Sequence, residues 1–155
     1  MITQRTLVSL TALLTFWCAD SGVRAQPNAP VLKTYTAPLG AKSQPSYQEL
    51  THFGCTDQIY TVLEMQDYPA GKYHLAVKWI DPSKNVREHT QYPFAVNASG
   101  DTKLWAWLAL SRAPGAGMIA WLNPAAGLEE FVGTWNVEVK IDDRLVSKLN
   151  FDVTC

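Results

Sequence analysis

Two strands joined by a tight turn are encoded in residues 133–155, which read GTWNVEVKIDDRLVSKLNFDVTC. On either side of Asp142-Asp143-Arg144, apolar residues alternate with polar ones. This alternation is typical of a strand with one face in a core and the other in solvent. The residues predicted to face inward are Trp135, Val137, Val139, Ile141, Leu149, Phe151, Val153 and Cys155. The stretch therefore predicts a closing antiparallel hairpin.

The same period-two pattern recurs upstream, from Tyr47 onward, in short segments that are separated by turn residues. These segments are 59–65, 75–79, 86–96 and 103–110. Asp81-Pro82-Ser83-Lys84-Asn85 is a typical turn, because Asp begins it and Pro fixes the next φ angle. No convincing amphipathic helix interrupts the series. The pattern predicts an all-β fold, an immunoglobulin-like antiparallel β-sandwich that covers residues 47–155.

Two cysteines lie in phase with the predicted core, near the two ends of this domain. Cys155 alternates with the inward residues of the last strand, and Cys55 is in phase with Phe53 and Ile59. Two inward thiols predict one disulfide. Closing a loop of about 100 residues would stabilise the domain by up to ~4.7 kcal/mol through chain entropy. A disulfide also indicates an oxidising compartment.

Residues 1–25 have the pattern of a secretory signal peptide. Arg5 supplies a positive start, residues 6–17 are uncharged and mostly apolar, and Val23-Arg24-Ala25 is a small-x-small cleavage site. We therefore expect a periplasmic or secreted protein.

Cys18 raises the alternative of a lipid anchor, although Trp17 and Thr15 fit a lipoprotein signal poorly. Cleavage after Ala25 would remove Cys18 and leave two cysteines, an even number that suits one disulfide.

The charge balance argues against nucleic acid and anionic membranes as partners. The sequence has 13 basic and 14 acidic residues, and loss of Arg5, Arg24 and Asp20 with the signal would bring the formal charge from −1 to −2. Binding to a phosphate backbone needs a concentrated basic surface. The sequence has no polybasic cluster and no segment of transmembrane length.

Residues 26–46 are rich in proline and in small polar residues. This composition predicts an extended N-terminal arm rather than a packed element. The apolar residues of the arm leave open an edge strand along the domain; they are Val31, Leu32, Tyr35 and Leu39.

The candidate binding residues begin with Trp105 and Trp107, which share one face of the predicted strand 103–110. The opposite face carries Leu104, Ala106, Leu108 and Leu110. If the leucines face the core, two indoles stand on the surface as a platform for a sugar ring or an apolar side chain. The alternative is a strand that is covered on both faces.

The long connection Ser111–Gly127 adds Met118 and Trp121 to the candidate binding residues. Long connections are often functional, and Trp121 could fold over the other two indoles. A cap on the core and an additional short strand are the alternatives.

No catalytic or metal-binding set stands out. His52, His74 and His89 lack metal-ligand spacing. The carboxylates of Glu129-Glu130 would point to opposite faces of a strand, so they do not form a catalytic pair. We therefore expect a protein without cofactor, metal or enzymatic activity.

Residues 133–139 and 149–153, with an acidic turn between them, resemble the closing hairpin of small exported bacterial immunoglobulin-like β-sandwich accessory domains. The resemblance implies the fold and an exported location, and no catalytic residue follows from it. Together these features predict a module that binds another exported protein, such as an envelope-complex, assembly or chaperone accessory. The alternative is a carbohydrate- or small-ligand-binding module that uses its surface tryptophans.

Overall fold

The computed structural model describes residues 30–98, 100–111, 122–123 and 126–155. Its strands are β1 (Val31–Pro38), β2 (His52–Gly54), β3 (Gln58–Gln66), β4 (Gly71–Ile80), β5 (Val86–Val96), β6 (Thr102–Ala109), β7 (Gly133–Ile141) and β8 (Arg144–Thr154). Single 3-10 turns occur at Ala41–Ser43 and Glu129–Phe131. The signal-peptide and lipid-anchor predictions fall on residues outside these ranges.

The strands form two sheets that enclose one core. The smaller sheet has the order β1-β3-β6, and the larger has the order β2-β8-β7-β4-β5. All neighbours are antiparallel except β2, which pairs with β8 in parallel. This topology is an immunoglobulin-like β-sandwich, which confirms the predicted fold class.

The β7–β8 hairpin forms in the predicted register. Strand β7 ends at Ile141 and β8 begins at Arg144, so that Asp142 and Asp143 alone make the turn. Their φ angles are 47° and 62°. Two-residue hairpin turns require this left-handed conformation, because a turn built from it has the same twist as the flanking strands. Aspartate tolerates the conformation better than most residues do.

An aromatic cluster occupies the core at the β7–β8 hairpin. The ring of Phe151 stacks on Trp135 with 5.9 Å between centroids, and it meets Phe53 and Trp79 edge to face. The indole N–H of Trp135 donates to the carbonyl of Phe131 at 2.8 Å. All four of the clustered aromatic side chains are buried, so this end of the core is rigidly packed.

The disulfide joins Cys55 and Cys155, whose Cα atoms are 5.1 Å apart. The parallel pairing of β2 with β8 brings the two thiols together, because Gly54 lies opposite Thr154. The predicted bridge is therefore present.

The sandwich begins before the predicted boundary at Tyr47. Val31–Pro38 form β1, which pairs with β3 along its whole length and buries Tyr35 and Ala37. Part of the predicted N-terminal arm, residues 26–46, therefore forms the edge strand that the sequence pattern allowed as an alternative. Prolines permit this, because an edge strand needs hydrogen bonds on one side only.

Residues 39–50 fold back over the outer face of the smaller sheet. The Tyr60 hydroxyl donates to the carbonyl of Ser43 at 3.1 Å, and the backbone N–H of Leu50 donates to the carbonyl of Thr36 at 2.8 Å. Tyr60 and Val62 are consequently buried although they point away from the core. Among the described residues, no helix is long and apolar enough to cross a membrane.

Candidate binding site beside strand β6

Strand β6 presents different residues to its two faces. Ala106 and Leu108 are buried in the core between the sheets. Trp105 and Trp107 lie on the outer face, opposite Val62 and Tyr60 of β3. Trp105 is partly buried, whereas 54% of Trp107 is exposed, so that the structure leaves one of the two indoles openly accessible.

Trp105 is covered by a small aromatic cluster of its own. It packs against a buried group on the outer face, formed by Tyr35, Ala37, Tyr60 and Val62. The ring of Tyr47 meets Trp105 edge to face at 6.4 Å between centroids. Tyr47 has a φ angle of 56°, a left-handed conformation that is strained for a bulky residue. The surrounding contacts therefore hold Tyr47 over Trp105.

A carboxylate next to this cluster is fully paired. Glu64 accepts hydrogen bonds from the Tyr35 hydroxyl at 2.8 Å and from Lys103 Nζ at 2.9 Å. Lys103 Nζ also lies 5.0 Å from the centre of the Tyr47 ring. The bonds from Lys103 and Tyr35 lower the pKa of Glu64, and burial, followed by the bond to Glu64, raises the pKa of Tyr35. Lys103 is thus already engaged within the protein.

A groove of about 480 Å³ runs beside Trp107, between strands β5 and β6. Its lining consists of Glu88, Thr90, Trp107, Leu108, Ala109 and Ser111. An indole next to a carboxylate and two hydroxyls offers an apolar surface together with directed polar groups, as binding sites do.

One hydrogen bond ties the two strands together at this groove. The Tyr92 hydroxyl of β5 donates to the carbonyl of Trp105 in β6 at 3.0 Å. A tyrosine hydroxyl is protonated at neutral pH, and burial raises the pKa of Tyr92 further.

The predicted site residues are therefore only partly brought together. Trp105 and Trp107 share a face, and Met118 and Trp121 lie outside the described residues. The sequence did not indicate Tyr47, Glu88 or Tyr92. Their roles depend on how the two sheets and the segment 39–50 meet, and no local pattern reports that arrangement.

A second groove, of about 490 Å³, lies on the outer face of the larger sheet. Its lining is Ile80, Lys84, Asn136, Val137, Glu138, Lys148 and Asn150. Its one carboxylate, on Glu138, is paired with Lys148 at 2.9 Å. In the part of the chain that the structure describes, no three His, Cys, Asp or Glu side chains come together as metal ligands.

No known protein-family profile matches this chain, and no curated protein matches it either. Similar solved structures include an immunoglobulin-like protein from Pseudomonas aeruginosa, with 12% identity and a TM-score of 0.47, over 84% of this chain and 100% of that one. They also include a beta-glucosidase from Listeria innocua in complex with glucose, with 11% identity and a TM-score of 0.47. That match covers 81% of this chain and 16% of the glucosidase. At such low similarity, neither match supports an inference about ligand or activity.

Proposed function

We propose that this chain is a non-catalytic, exported module that binds another protein through the groove beside Trp107. The observation that carries the proposal is the 54% exposure of Trp107 within a strand whose neighbours Ala106 and Leu108 are buried. Tryptophan is enriched among the residues that dominate binding energy in protein interfaces. An indole that remains exposed beside a groove is therefore a natural anchor for a partner's side chain.

The disulfide supports the exported location. Disulfides form and persist in the periplasm and outside the cell, whereas cytosolic thiols are kept reduced. The bridge between Cys55 and Cys155 joins β2 to the end of the last strand, which makes it a structural element of the sandwich.

The test compares two alanine variants at exposed apolar residues on different sheets. The disulfide-bonded protein is immobilised and incubated with the exported-protein fraction of its own cells, and bound proteins are identified. Trp107→Ala should weaken capture of a specific partner at least ten-fold, while Leu145→Ala, with a side chain that is 44% exposed, should not. Equal capture by wild type and Trp107→Ala would refute the proposal.

Carbohydrate binding is the second candidate, and the composition of the groove favours it. Trp107 lies beside Glu88, Thr90 and Ser111, and a stacking ring with flanking hydrogen-bonding groups is suited to a sugar. A single accessible indole gives a small platform, because Tyr47 covers Trp105. Titration with glycans from the cell envelope while intrinsic fluorescence is recorded tests this function. A response that Trp107→Phe abolishes would support it, and no response at all would exclude it.

A further inference from the structure

The four outer edges of the two sheets are protected to different degrees. Exposed sheet edges invite pairing with other chains, and proteins block them with proline, charge, short strands or covering segments. Strand β5 carries Pro93 and the charged Arg87 and Glu88. Strand β2 has three residues, and β1 is covered by hydrogen bonds from Ser46 and Leu50.

Among the residues that the structure describes, none gives strand β6 any of these protections. Its sequence, TKLWAWLA, contains no proline, and its one charged residue is Lys103, which is bound to Glu64. Within the described residues, no strand pairs with the side of β6 that faces away from β3. With respect to the described part of the chain, this edge is therefore the most open one for main-chain pairing.

The register shows which backbone groups of β6 point to that open side. On β1, the carbonyls of Thr36 and Pro38 accept bonds from outside the sheet, so Tyr35 turns its own backbone groups toward Val62 of β3. Val62 is in turn opposite Trp105. Because each residue of an antiparallel strand bonds on one side only, the N–H and carbonyl groups of Trp105 point outward.

The bond from Tyr92 to the carbonyl of Trp105 is an independent observation of the same orientation. The alternation along the strand then directs the backbone groups of Lys103, Trp107 and Ala109 outward too. Trp107 and Ala109 also line the groove, so these outward groups are exposed to a ligand that lies in it.

The larger sheet extends beyond β6 and forms the floor of this open position. Glu88 and Thr90 lie opposite Trp79 and Val77, so they share the inward face of the larger sheet. They nevertheless line the solvent-filled groove, because the smaller sheet ends at β6. No described residue fills the position above β5 and beside β6, so this position can hold one more strand.

The charge of the groove indicates what such a strand would carry. Among the described residues, Glu88 forms no ion pair, and its carboxylate accepts one hydrogen bond, from the backbone N–H of His89 at 3.2 Å. Lys103 is held by Glu64. The groove therefore presents a carboxylate that has no cationic partner among the described residues, next to an exposed indole. A lysine or arginine side chain on the inner face of an added strand complements this carboxylate, since a cation pairs with it.

We propose that an extended segment of the partner protein adds to the smaller sheet as a fourth strand at β6 and places a lysine or arginine against Glu88. This inference rests on the proposed protein-binding function. Backbone pairing with Lys103, Trp107 and Ala109 provides the attachment, as in other cases of strand addition. Trp107 contacts side chains on the outer face, and Glu88 contacts those on the inner face.

The test uses Ala109→Pro, which removes one outward N–H group and no bond to β3. Proline is tolerated at the edge of a sheet, so the variant should fold, and its unfolding midpoint verifies this. Ala109→Val keeps the N–H group and is the matched control. A phage-displayed library of random octapeptides, the length of β6, is selected against wild type.

The selected peptides should alternate apolar and polar residues, carry lysine or arginine, and bind Ala109→Pro at least ten-fold more weakly than Ala109→Val. Glu88→Lys should reverse the preference to acidic peptides, while Glu49→Lys, next to β1 on the opposite edge, should not. Bound peptide should also slow hydrogen exchange at the amides of Trp107 and Ala109. No enrichment, or equal binding to both Ala109 variants, would overturn strand addition.

Two further outcomes separate this inference from the proposed function. Capture of the natural partner that depends on Trp107 but tolerates Ala109→Pro would refute strand addition and leave the binding function standing. A wild-type dimer that Ala109→Pro dissociates would show that a second copy occupies the edge, which also overturns the proposal. The proposal would also be overturned if the amides of Trp107 and Ala109 were already protected from hydrogen exchange in the free protein.

Discussion

The phenolic hydroxyl of Tyr92 in β5 donates a hydrogen bond to the main-chain carbonyl of Trp105 in β6, with 3.0 Å between the two oxygens. This bond links the edge strands of two different sheets. It satisfies one carbonyl of the β6 edge without covering the rest of that edge. The bond therefore ties together the two strands that flank the groove beside Trp107.

Tyr92→Phe should lower the free energy of unfolding by about 1 kcal/mol, because it removes a partly buried hydrogen bond and leaves the ring in place. Urea denaturation of wild type and variant measures the difference. Tyr73→Phe is the control, since the Tyr73 hydroxyl bonds to the carbonyl of Pro69 in an exposed position. An equal loss of unfolding free energy in both variants would show that the bond between the sheets stabilises the protein no more than an exposed hydrogen bond does.

A buried carboxylate organises the turn between β4 and β5. Asp81 is fully buried and accepts hydrogen bonds from the backbone N–H of Asn85 at 2.7 Å and from Arg87 Nε at 2.5 Å. Arg87 also binds Glu130 at 2.6 Å and lies over the ring of Phe131. Burial by itself raises the pKa of Asp81, but the bonds from Asn85 and Arg87 outweigh it and leave the pKa below its usual value.

Asp81→Asn should destabilise the protein by about 2 kcal/mol at neutral pH, because Arg87 loses a charged partner. Arg87 is 31% exposed, so solvent reduces the effect. The wild-type advantage should be complete above the unfolded-state pKa of about 3.9 and should disappear as pH falls through the lower folded-state pKa.

Urea unfolding of Asp81→Asn and wild type between neutral and acidic pH tests this dependence. Asp57→Asn is the control, because the carboxylate of Asp57 accepts a bond from the N–H of Gly54 at the surface. A difference between wild type and Asp81→Asn that persists undiminished in acid would contradict the assignment.

The sequence predicted those parts of the fold whose evidence is local. The β7–β8 hairpin and the turn at Asp81 follow from alternation and turn chemistry, and both are present. The phase of Cys55 and Cys155 with the predicted core residues predicted their pairing, and the bridge is present. The two cysteines lie just beyond β2 and β8, however, and only Cys55 is buried.

Other features depend on contacts between distant segments, and sequence patterns do not report these. Segment 39–50 buries the outer face of β3 although it has no periodicity of its own, so the partial cover of Trp105 could not be foreseen. The β4–β5 pairing also contains an irregularity at Trp79 and Ile80, which shifts the register by one residue and has no signal in the sequence pattern.

Removal of the disulfide should lower the free energy of unfolding by about 2–5 kcal/mol, because the bridge closes most of the sandwich into one loop. Its two cysteines are 100 residues apart in sequence. Urea denaturation of the Cys55→Ser/Cys155→Ser variant measures the loss. Wild type treated with a reductant should behave as the variant does. Identical stability with and without reductant, or two free thiols in the purified protein, would contradict this prediction.

Tyr47 should be a position where glycine is more stable than alanine. Its φ angle of 56° is strained for any residue with a Cβ atom, and glycine adopts it freely. Both variants lose the ring contact with Trp105, so their comparison isolates the backbone. The free energy of unfolding of Tyr47→Gly should be about 1 kcal/mol higher than that of Tyr47→Ala. Urea denaturation measures both values. The reverse order would show that Tyr47 is not held in this conformation.

The ring of Tyr47 should also control the accessibility of Trp105. In a Trp107→Phe background, which removes the most exposed of the described indoles, Tyr47→Ala should increase acrylamide quenching of tryptophan fluorescence. Tyr68→Ala in the same background is the control, because Tyr68 contacts Tyr73 rather than a tryptophan. Unchanged quenching in the Tyr47 variant would show that residues other than Tyr47 cover Trp105. An increase would mean that this one side chain limits the aromatic surface to Trp107.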